Sequence, residues 1–224
     1  MTVSNTYNAT QSIVGPSTSQ SFSITGTNVN DIICVMTSIN GNNIGGLLNI
    51  TSVPSGVYLL EEMYSYYQPG FQVYNPIGYI YNVATAGTQT FTLTTSSANP
   101  SPNSMQYHVW AFRSTSASFT PVSEGTQSGT GNASSDYYGG AAPLYNGIDQ
   151  VWIGIAQTTA GTGQSNSTAS SNFNTGGMTA YKTPASLSGW SAPYWLSGFA
   201  YQDYAESSVV IYWGNPPNSI VMII

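Results

Sequence analysis

The chain has 224 residues, of which only 4% are Asp, Glu, Lys or Arg, while 41% are apolar and 13% are aromatic. Arg113 and Lys182 are its only strong cations, which argues against a basic groove for nucleic acid and against binding to an anionic membrane surface. The many aromatic residues argue against a disordered chain, so we expect a folded protein with a neutral, hydrogen-bonding surface of Ser, Thr, Asn, Gln and Tyr.

The same composition limits the chemistry of the chain. It has eight carboxylates and two cations, so we expect its stability to change little with pH. The single cysteine, Cys34, lies in an apolar stretch and is predicted to be a buried structural thiol. Because no His or Cys cluster and no nucleophile string such as GxSxG occurs, the sequence predicts no metal, no cofactor and no enzymatic activity.

Residues 1–17 have no basic start and no apolar run of signal-peptide length, which predicts that the protein as written is not a Sec substrate. The stretch is polar and extended and ends at Gly15-Pro16, so it is predicted to be an N-terminal arm. Such an arm could fill the sheet edge of a neighbouring subunit, with a donor strand along Thr6, Asn8, Thr10, Ser12 and Val14. The alternatives are a frayed terminus or an ordinary first edge strand.

The first half, residues 18–113, has the alternation of β-strands. Phe91 and Leu93 alternate with threonines, which predicts a strand with one buried face, and Ile32–Ile39 is apolar on both faces, which predicts a central or covered strand. Glu61 and Glu62 are adjacent, so they point to opposite faces and cannot act on one substrate. Strands are predicted from residue 19 and at 32–39, 47–53, 57–67, 78–83, 89–95 and 105–112.

The only histidine, His108, lies in the last of these strands and shares a face with Trp110 and Phe112. A catalytic triad would need a nucleophile and an orienting acid beside it. We therefore expect a hydrogen-bonded or stacked histidine near the core.

Residues 114–135 are rich in Ser, Thr and Gly and are predicted to join the two halves. The second half, residues 136–224, is predicted to contain a long exposed loop at Thr158–Ser171. Its predicted strands lie near 136–144, 150–157, 177–182, 196–202, 208–213 and 219–224.

Three short echoes indicate that the halves arose by duplication. The runs that begin at Asn28 and Asn146 both place Asp three residues on, before an apolar strand; Gly78–Tyr81 resembles Gly198–Tyr201; and NPSPNS at 99–104 resembles NPPNS at 215–219. Repeated hairpin sequences without common ancestry are the alternative. The predicted domain is one β-sandwich over residues 18–224, made of pseudo-repeats 18–113 and 136–224, and two tandem small sandwiches are its alternative.

Two further patterns concern binding and modification. Three large aromatic residues, Trp190, Tyr194 and Trp195, surround a proline and are predicted to contact a partner or a glycan from a sandwich end, or else to plug the core. Asn-x-Ser/Thr sequons permit N-glycosylation at Asn8, Asn49, Asn132 and Asn166, at about the number that chance predicts for this composition.

With no helix-period segment, the fold is predicted to be all-β, with a jelly-roll or immunoglobulin-like sandwich as its closure. The low charge, the Tyr/Ser/Thr/Asn content, the NPxNS-type loops and the duplicated strands together resemble the jelly-roll capsid, turret and spike proteins of viruses of hyperthermophilic, acid-dwelling Sulfolobales. The chain is also similar to β-sandwich subunits of archaeal thread-like pili. The resemblance carries over no functional residue.

These patterns lead to three functional hypotheses. The first is a structural virion protein at the virion surface, which contacts copies of itself or other virion subunits. The second is an extracellular filament subunit joined by donor strands. The third is a carbohydrate-binding attachment domain that recognises host-surface glycans, and it is compatible with the first.

Overall fold

The computed structural model of the chain consists of antiparallel β-strands, with no helix among the residues that it describes. These are residues 2–13, 18–41, 48–68, 73–95, 105–116, 118–133, 137–138, 145–158, 163–165, 167–173, 177–183, 194–196 and 202–214. The arrangement is consistent with a β-sandwich, in agreement with the predicted fold class.

The first eight strands form two sheets. The first large sheet has the order β1-β8-β3-β6-β5, with β1 at Val3–Ile13, β8 at Met105–Ser114, β3 at Ile32–Gly41, β6 at Val73–Val83 and β5 at Val57–Tyr64. The first small sheet has the order β2-β7-β4, with β2 at Ser19–Thr27, β7 at Gly87–Thr95 and β4 at Leu48–Ser52.

The last eight strands form two more sheets. The second large sheet has the order β9-β16-β11-β14-β13, with β9 at Pro121–Ala133, β16 at Gln202–Trp213, β11 at Asp149–Thr158, β14 at Gly177–Lys182 and β13 at Ala169–Phe173. The second small sheet has the order β10-β15-β12, with β10 at Tyr137–Tyr138, β15 at Tyr194–Leu196 and β12 at Gly163–Ser165. Adding eight to each strand number of the first pair of sheets therefore gives the order of the second pair.

The strand sequences explain which faces are covered. Phe91 and Leu93 of β7 are buried, while the hydroxyls of Thr90 and Thr92 bond across the exposed face to Ser23 and Ser21 at 2.8 and 2.9 Å. β3 is central in its sheet and its apolar side chains from Ile32 to Met36 are buried on both faces, as its sequence predicts.

Apolar side chains form three clusters. The inner core lies between the two large sheets and includes Cys34 and Trp110 from the first and Ile153 and Val209 from the second. The first outer core lies between the first large and first small sheets and contains Phe22, Ile24, Phe91 and Leu93 together with the outer faces of β3, β6 and β8. The second outer core, on the other face of the second large sheet, contains Trp152, Ala156, Met178, Ala180 and Val210.

The structure corrects several expected boundaries. β1 occupies most of the predicted arm at residues 1–17, and β9 occupies residues 121–133 of the predicted joining segment 114–135. Both are edge strands with few apolar residues, and such strands are held mainly by backbone pairing, which leaves little apolar alternation to read. β12 and the start of β13 lie within the predicted loop 158–171. β16 contains the strand expected at 208–213 and begins earlier, at Gln202, while residues 197–201 of the strand expected at 196–202 and the whole strand expected at 219–224 lie outside the described residues.

Candidate interaction surface

Two of the three aromatic residues predicted to contact a partner or a glycan lie within the described residues. Trp190 lies outside the described residues. Tyr194 and Trp195 lie in β15, the middle strand of the second small sheet, where Trp195 pairs with Tyr137 and Gln164. Both residues therefore lie in a β-strand, while their role in partner or glycan binding stays a prediction.

The predicted donor strand lies in its own chain's sheet. Thr6 and Ser12 fall within β1, which pairs with β8 from Val3↔Ser114 to Ile13↔Met105, and the Thr6 hydroxyl donates to the Ala111 carbonyl at 3.3 Å. The segment thus occupies the position of an ordinary first edge strand, one of the alternatives that its sequence allows. Val14 lies outside the described residues.

The sequons differ in their surroundings. Asn8 and Thr10 both bond to β8, since Trp110 Nε1 donates to Asn8 Oδ1 at 3.2 Å and Thr10 Oγ1 lies 2.9 Å from His108 Nδ1. Asn49 is exposed on β4, at the edge of the first small sheet. Asn132 pairs with Asp203 along the β9 backbone, and Asn166 lies outside the described residues. Glycosylation itself stays a prediction.

His108 lies at the inner core, as its strand pattern predicts. It is 1% exposed, its ring meets Trp110 edge-on at 4.7 Å, and Thr10 is the hydrogen-bond partner of its Nδ1. Its Nε2 is buried and has no hydrogen-bond partner in the described part of the chain. Burial lowers the pKa of His108 from 6.5 to about 4, so the ring is neutral at pH 7.

The two echoed aspartates anchor the start of the central strands. Asp31 accepts Arg113 Nε and Nη2 at 2.9 and 2.7 Å, and it also accepts the backbone N–H of Asn28 at 2.8 Å. Asp149 accepts hydrogen bonds from the end of β8 and the turn after it, from the hydroxyl of Ser114 at 2.6 Å and the backbone N–H of Ser116 at 3.2 Å. The sequence pattern of an Asp before an apolar strand indicates a repeat, but it does not reveal that these side chains anchor the strands.

Further polar contacts join the halves across the inner core. Glu61 accepts the hydroxyl of Ser123 at 2.7 Å, the Ser65 hydroxyl donates to the Gly129 carbonyl at 3.2 Å, and Trp213 Nε1 donates to the Asn30 carbonyl at 2.7 Å. The first two contacts place the edge strands β5 and β9 side by side. The third places the end of β16 beside the turn that precedes β3.

Exposed apolar side chains gather at that end of the molecule, and sequence reasoning missed them. We define the end patch as six of them, between 37% and 62% exposed, in the turns and strand starts there: Val29, Val53, Tyr58, Leu59, Phe119 and Val122. The consecutive Tyr58 and Leu59 at the start of an edge strand are the one signal that the sequence offered, because adjacent strand residues cannot both face a single core.

Three findings on the described residues concern metal binding, the cysteine and the membrane. Among these residues, no group of three or more His, Cys, Asp and Glu side chains is placed to hold a metal ion. Burial raises the pKa of the Cys34 thiol, which agrees with the predicted structural role. In the same part of the chain, no helix has the length and apolar character needed to cross a membrane.

Comparison with known proteins gives no family for this chain. No protein-family model matches it, and neither a curated protein nor a solved structure shows significant similarity.

Proposed function

We propose that the chain is a structural virion protein, a capsid, turret or spike component, that acts through contacts with copies of itself or with other virion subunits. The observation that carries this proposal is the strand order of the two pairs of sheets. In a jelly roll of eight strands, the first strand lies beside the eighth, the third beside the eighth and sixth, and the second beside the seventh. Jelly rolls are typical of capsid and lectin domains.

Both halves of this chain follow that order. The one departure is β5, which joins β6 in the large sheet instead of β4 in the small one, and β13 repeats this departure beside β14. A shared departure favours duplication of one eight-strand unit. The proposed architecture is therefore two jelly rolls, β1–β8 and β9–β16, packed through their large sheets.

The ladder register also supports a duplication. Ile32 of β3 pairs with Phe112 of β8, and Val151 of β11 pairs with Ile211 of β16. If these two pairs are equivalent, β3 and β11 are related by a spacing of 119 residues, and β8 and β16 by a spacing of 99 residues. Asp31 and Asp149 are 118 residues apart, one residue fewer than the spacing between the strands that follow them. The other two echoes have their second copies outside the described residues.

The surface chemistry supports assembly. With two cations and eight carboxylates on 224 residues, copies of the chain repel one another weakly. Low net repulsion and a surface of Ser, Thr and Tyr hydroxyls suit a subunit that buries large neutral faces against its neighbours.

The test is whether the chain belongs to a particle. We expect purified protein to form oligomers in size-exclusion chromatography, and we expect its β-sandwich to fit the density of virions from the same source in cryo-electron microscopy. A strictly monomeric chain that is absent from any particle would contradict the proposal.

A filament subunit is the second candidate, and the edge position of β1 favours it. β1 pairs with β8 only, as far as the described residues extend, so it could leave its own sheet and pair with β8 of a neighbour. Deletion of residues 1–16 should then abolish polymerisation, and a synthetic peptide of those residues should cap growing filaments of the full chain. Filaments that grow unchanged without the segment would rule this candidate out.

A further inference from the structure

His108 lies beside the outermost strand of the first large sheet. β1 pairs with β8 only, as far as the described residues extend, and its exposed Thr10 bonds to Nδ1 of the buried His108 ring at 2.9 Å. The other ring nitrogen, Nε2, is buried and has no hydrogen-bond partner within the described ranges. A proton added to the ring would therefore place a positive charge and an unpaired N–H where water does not reach.

β1 is the neighbour of His108 that is held most weakly. Its buried side chains are Val3 and Ile13, at its two ends, and every residue between them is half-buried or exposed. β3, on the other side of β8, pairs with two strands, and its apolar side chains from Ile32 to Met36 are fully buried. Segments with few buried apolar contacts open before the rest of a fold does, so we expect water to reach the ring by loss of the β1–β8 ladder.

The elements packed against the ring carry few other ionisable groups. β13, which crosses β8 from the second large sheet, has none in its sequence. The others are Tyr7 on β1, Cys34 on β3, Arg113 on β8, and Tyr181 and Lys182 on β14. Tyrosine, cysteine, arginine and lysine side chains keep their protons when the pH falls, so none of these groups changes its charge in acid. Asp31 and Asp149 bond to Arg113 and Ser114, at the end of β8 away from His108.

We propose that His108 makes β1 an acid-released strand: when the ring takes up a proton, β1 leaves the first large sheet and exposes the ring and the edge of β8 to water. This inference goes beyond the proposed function, since it concerns the isolated chain and needs neither a particle nor a filament. Burial lowers the pKa of His108 from 6.5 to about 4 while β1 is in place, and the ring regains its ordinary pKa once β1 has left. Opening is therefore coupled to proton uptake, and it becomes more favourable as the pH falls from 6.5 to 4.

Native-state hydrogen exchange, followed by mass spectrometry, measures this opening. We expect the β1 amides to exchange through an opening that low concentrations of urea do not promote, because it exposes little surface. The β11 amides, in the middle of the second large sheet, should exchange by global unfolding, which urea promotes strongly. Between pH 7 and pH 3.5 the protection of the β1 amides should fall about 200-fold after correction for intrinsic exchange rates, because the pKa of the ring differs between the closed and open states.

Two variants separate the ring from its hydrogen bond. His108→Gln keeps a polar partner for Thr10 but cannot take up the proton, so the protection of its β1 amides should be independent of pH. Thr10→Val is the matched control, because it removes the same hydrogen bond from the β1 side and keeps the titrating ring. The fall in protection should therefore remain in Thr10→Val.

Three results would overturn the proposal. If the β1 amides show the same urea dependence as the β11 amides, β1 does not open by itself. If the fall in protection persists in His108→Gln, it belongs to carboxylates such as Asp31 and Asp149. If the fall disappears in Thr10→Val, it depends on the hydrogen bond and not on burial of the ring. Particle membership is measured separately in cryo-electron microscopy, so the acid-released strand can fail while the proposed function stands.

Discussion

The outer faces of the two large sheets differ although their strands follow the same order. In the first half, Ile33 and Val35 of β3 lie beside Ala111 and Val109 of β8, and aromatic side chains from the small sheet cover them. At the corresponding ladder positions of the second half are Trp152 and Gly154 beside Val210 and Ser208. The second outer core thus has glycine and serine where the first has two valines.

One side chain accounts for part of this difference. A Cβ built on Gly154 would lie 2.3 Å from Cη2 of Trp152, so the indole ring occupies the space above Gly154. In the first half, the side chain of Val35 fills the corresponding place. The register of a large sheet is set by its apolar inner face, since a one-residue slip would reverse every side chain. The outer face can then be filled in different ways, as Trp152 and Gly154 show.

Truncation of each outer core tests whether the first half is the better packed. Phe91 is fully buried and stacks on Phe22 at 5.3 Å, so Phe91→Ala should lower the free energy of unfolding by about 4 kcal/mol. Met178→Ala, among the small side chains of the second outer core, should cost about 2 kcal/mol. Urea denaturation measures both values, and a loss for Met178→Ala as large as that for Phe91→Ala would contradict this expectation, since fewer atoms are removed from Met178.

The sequence predicted the elements that carry an apolar pattern. Alternation located Phe91 and Leu93, and the apolar run at β3 marked a strand buried on both faces. β14 was predicted at its observed bounds, Gly177–Lys182. β9 was not predicted, and an edge strand was only one of the alternatives for β1, because edge strands are held mainly by backbone hydrogen bonds and need no side-chain pattern. The end patch could not be predicted, since the exposure of Val29 and Phe119 depends on how three distant stretches meet.

The inner core also differs between the halves, because His108 has Ser207 at its corresponding position. A folded-state pKa of about 4 against 6.5 means that the unfolded chain binds a proton more readily. The stability that comes from the neutral ring is complete above pH 6.5 and is lost as pH falls to about 4. The loss is about 3 kcal/mol, or roughly 6–12 °C in Tm for a chain of this size.

This expectation revises the pH-independent stability that the composition suggested. Thermal melts followed by circular dichroism at pH 7.5 and pH 3.5 measure the fall in Tm. His108→Gln keeps a polar partner for Thr10 and cannot charge, so most of the fall should disappear in that variant. An equal fall in both proteins would assign the acid sensitivity to the carboxylates instead.

The smallest expected effect tests directly whether the Trp152 ring and the absence of a side chain at Gly154 are matched to each other. Gly154→Val places two methyl groups where the indole ring lies, and it should destabilise the fold by about 2 kcal/mol through overpacking. Adding Trp152→Ile recreates the Ile33–Val35 arrangement of the first half, so the double variant should be more stable than Gly154→Val alone. Trp152→Ile by itself should be destabilising, because it leaves a cavity above Gly154. A double-mutant cycle from urea melts gives the coupling energy, and two changes that simply add would show that the indole and the glycine are not matched to each other.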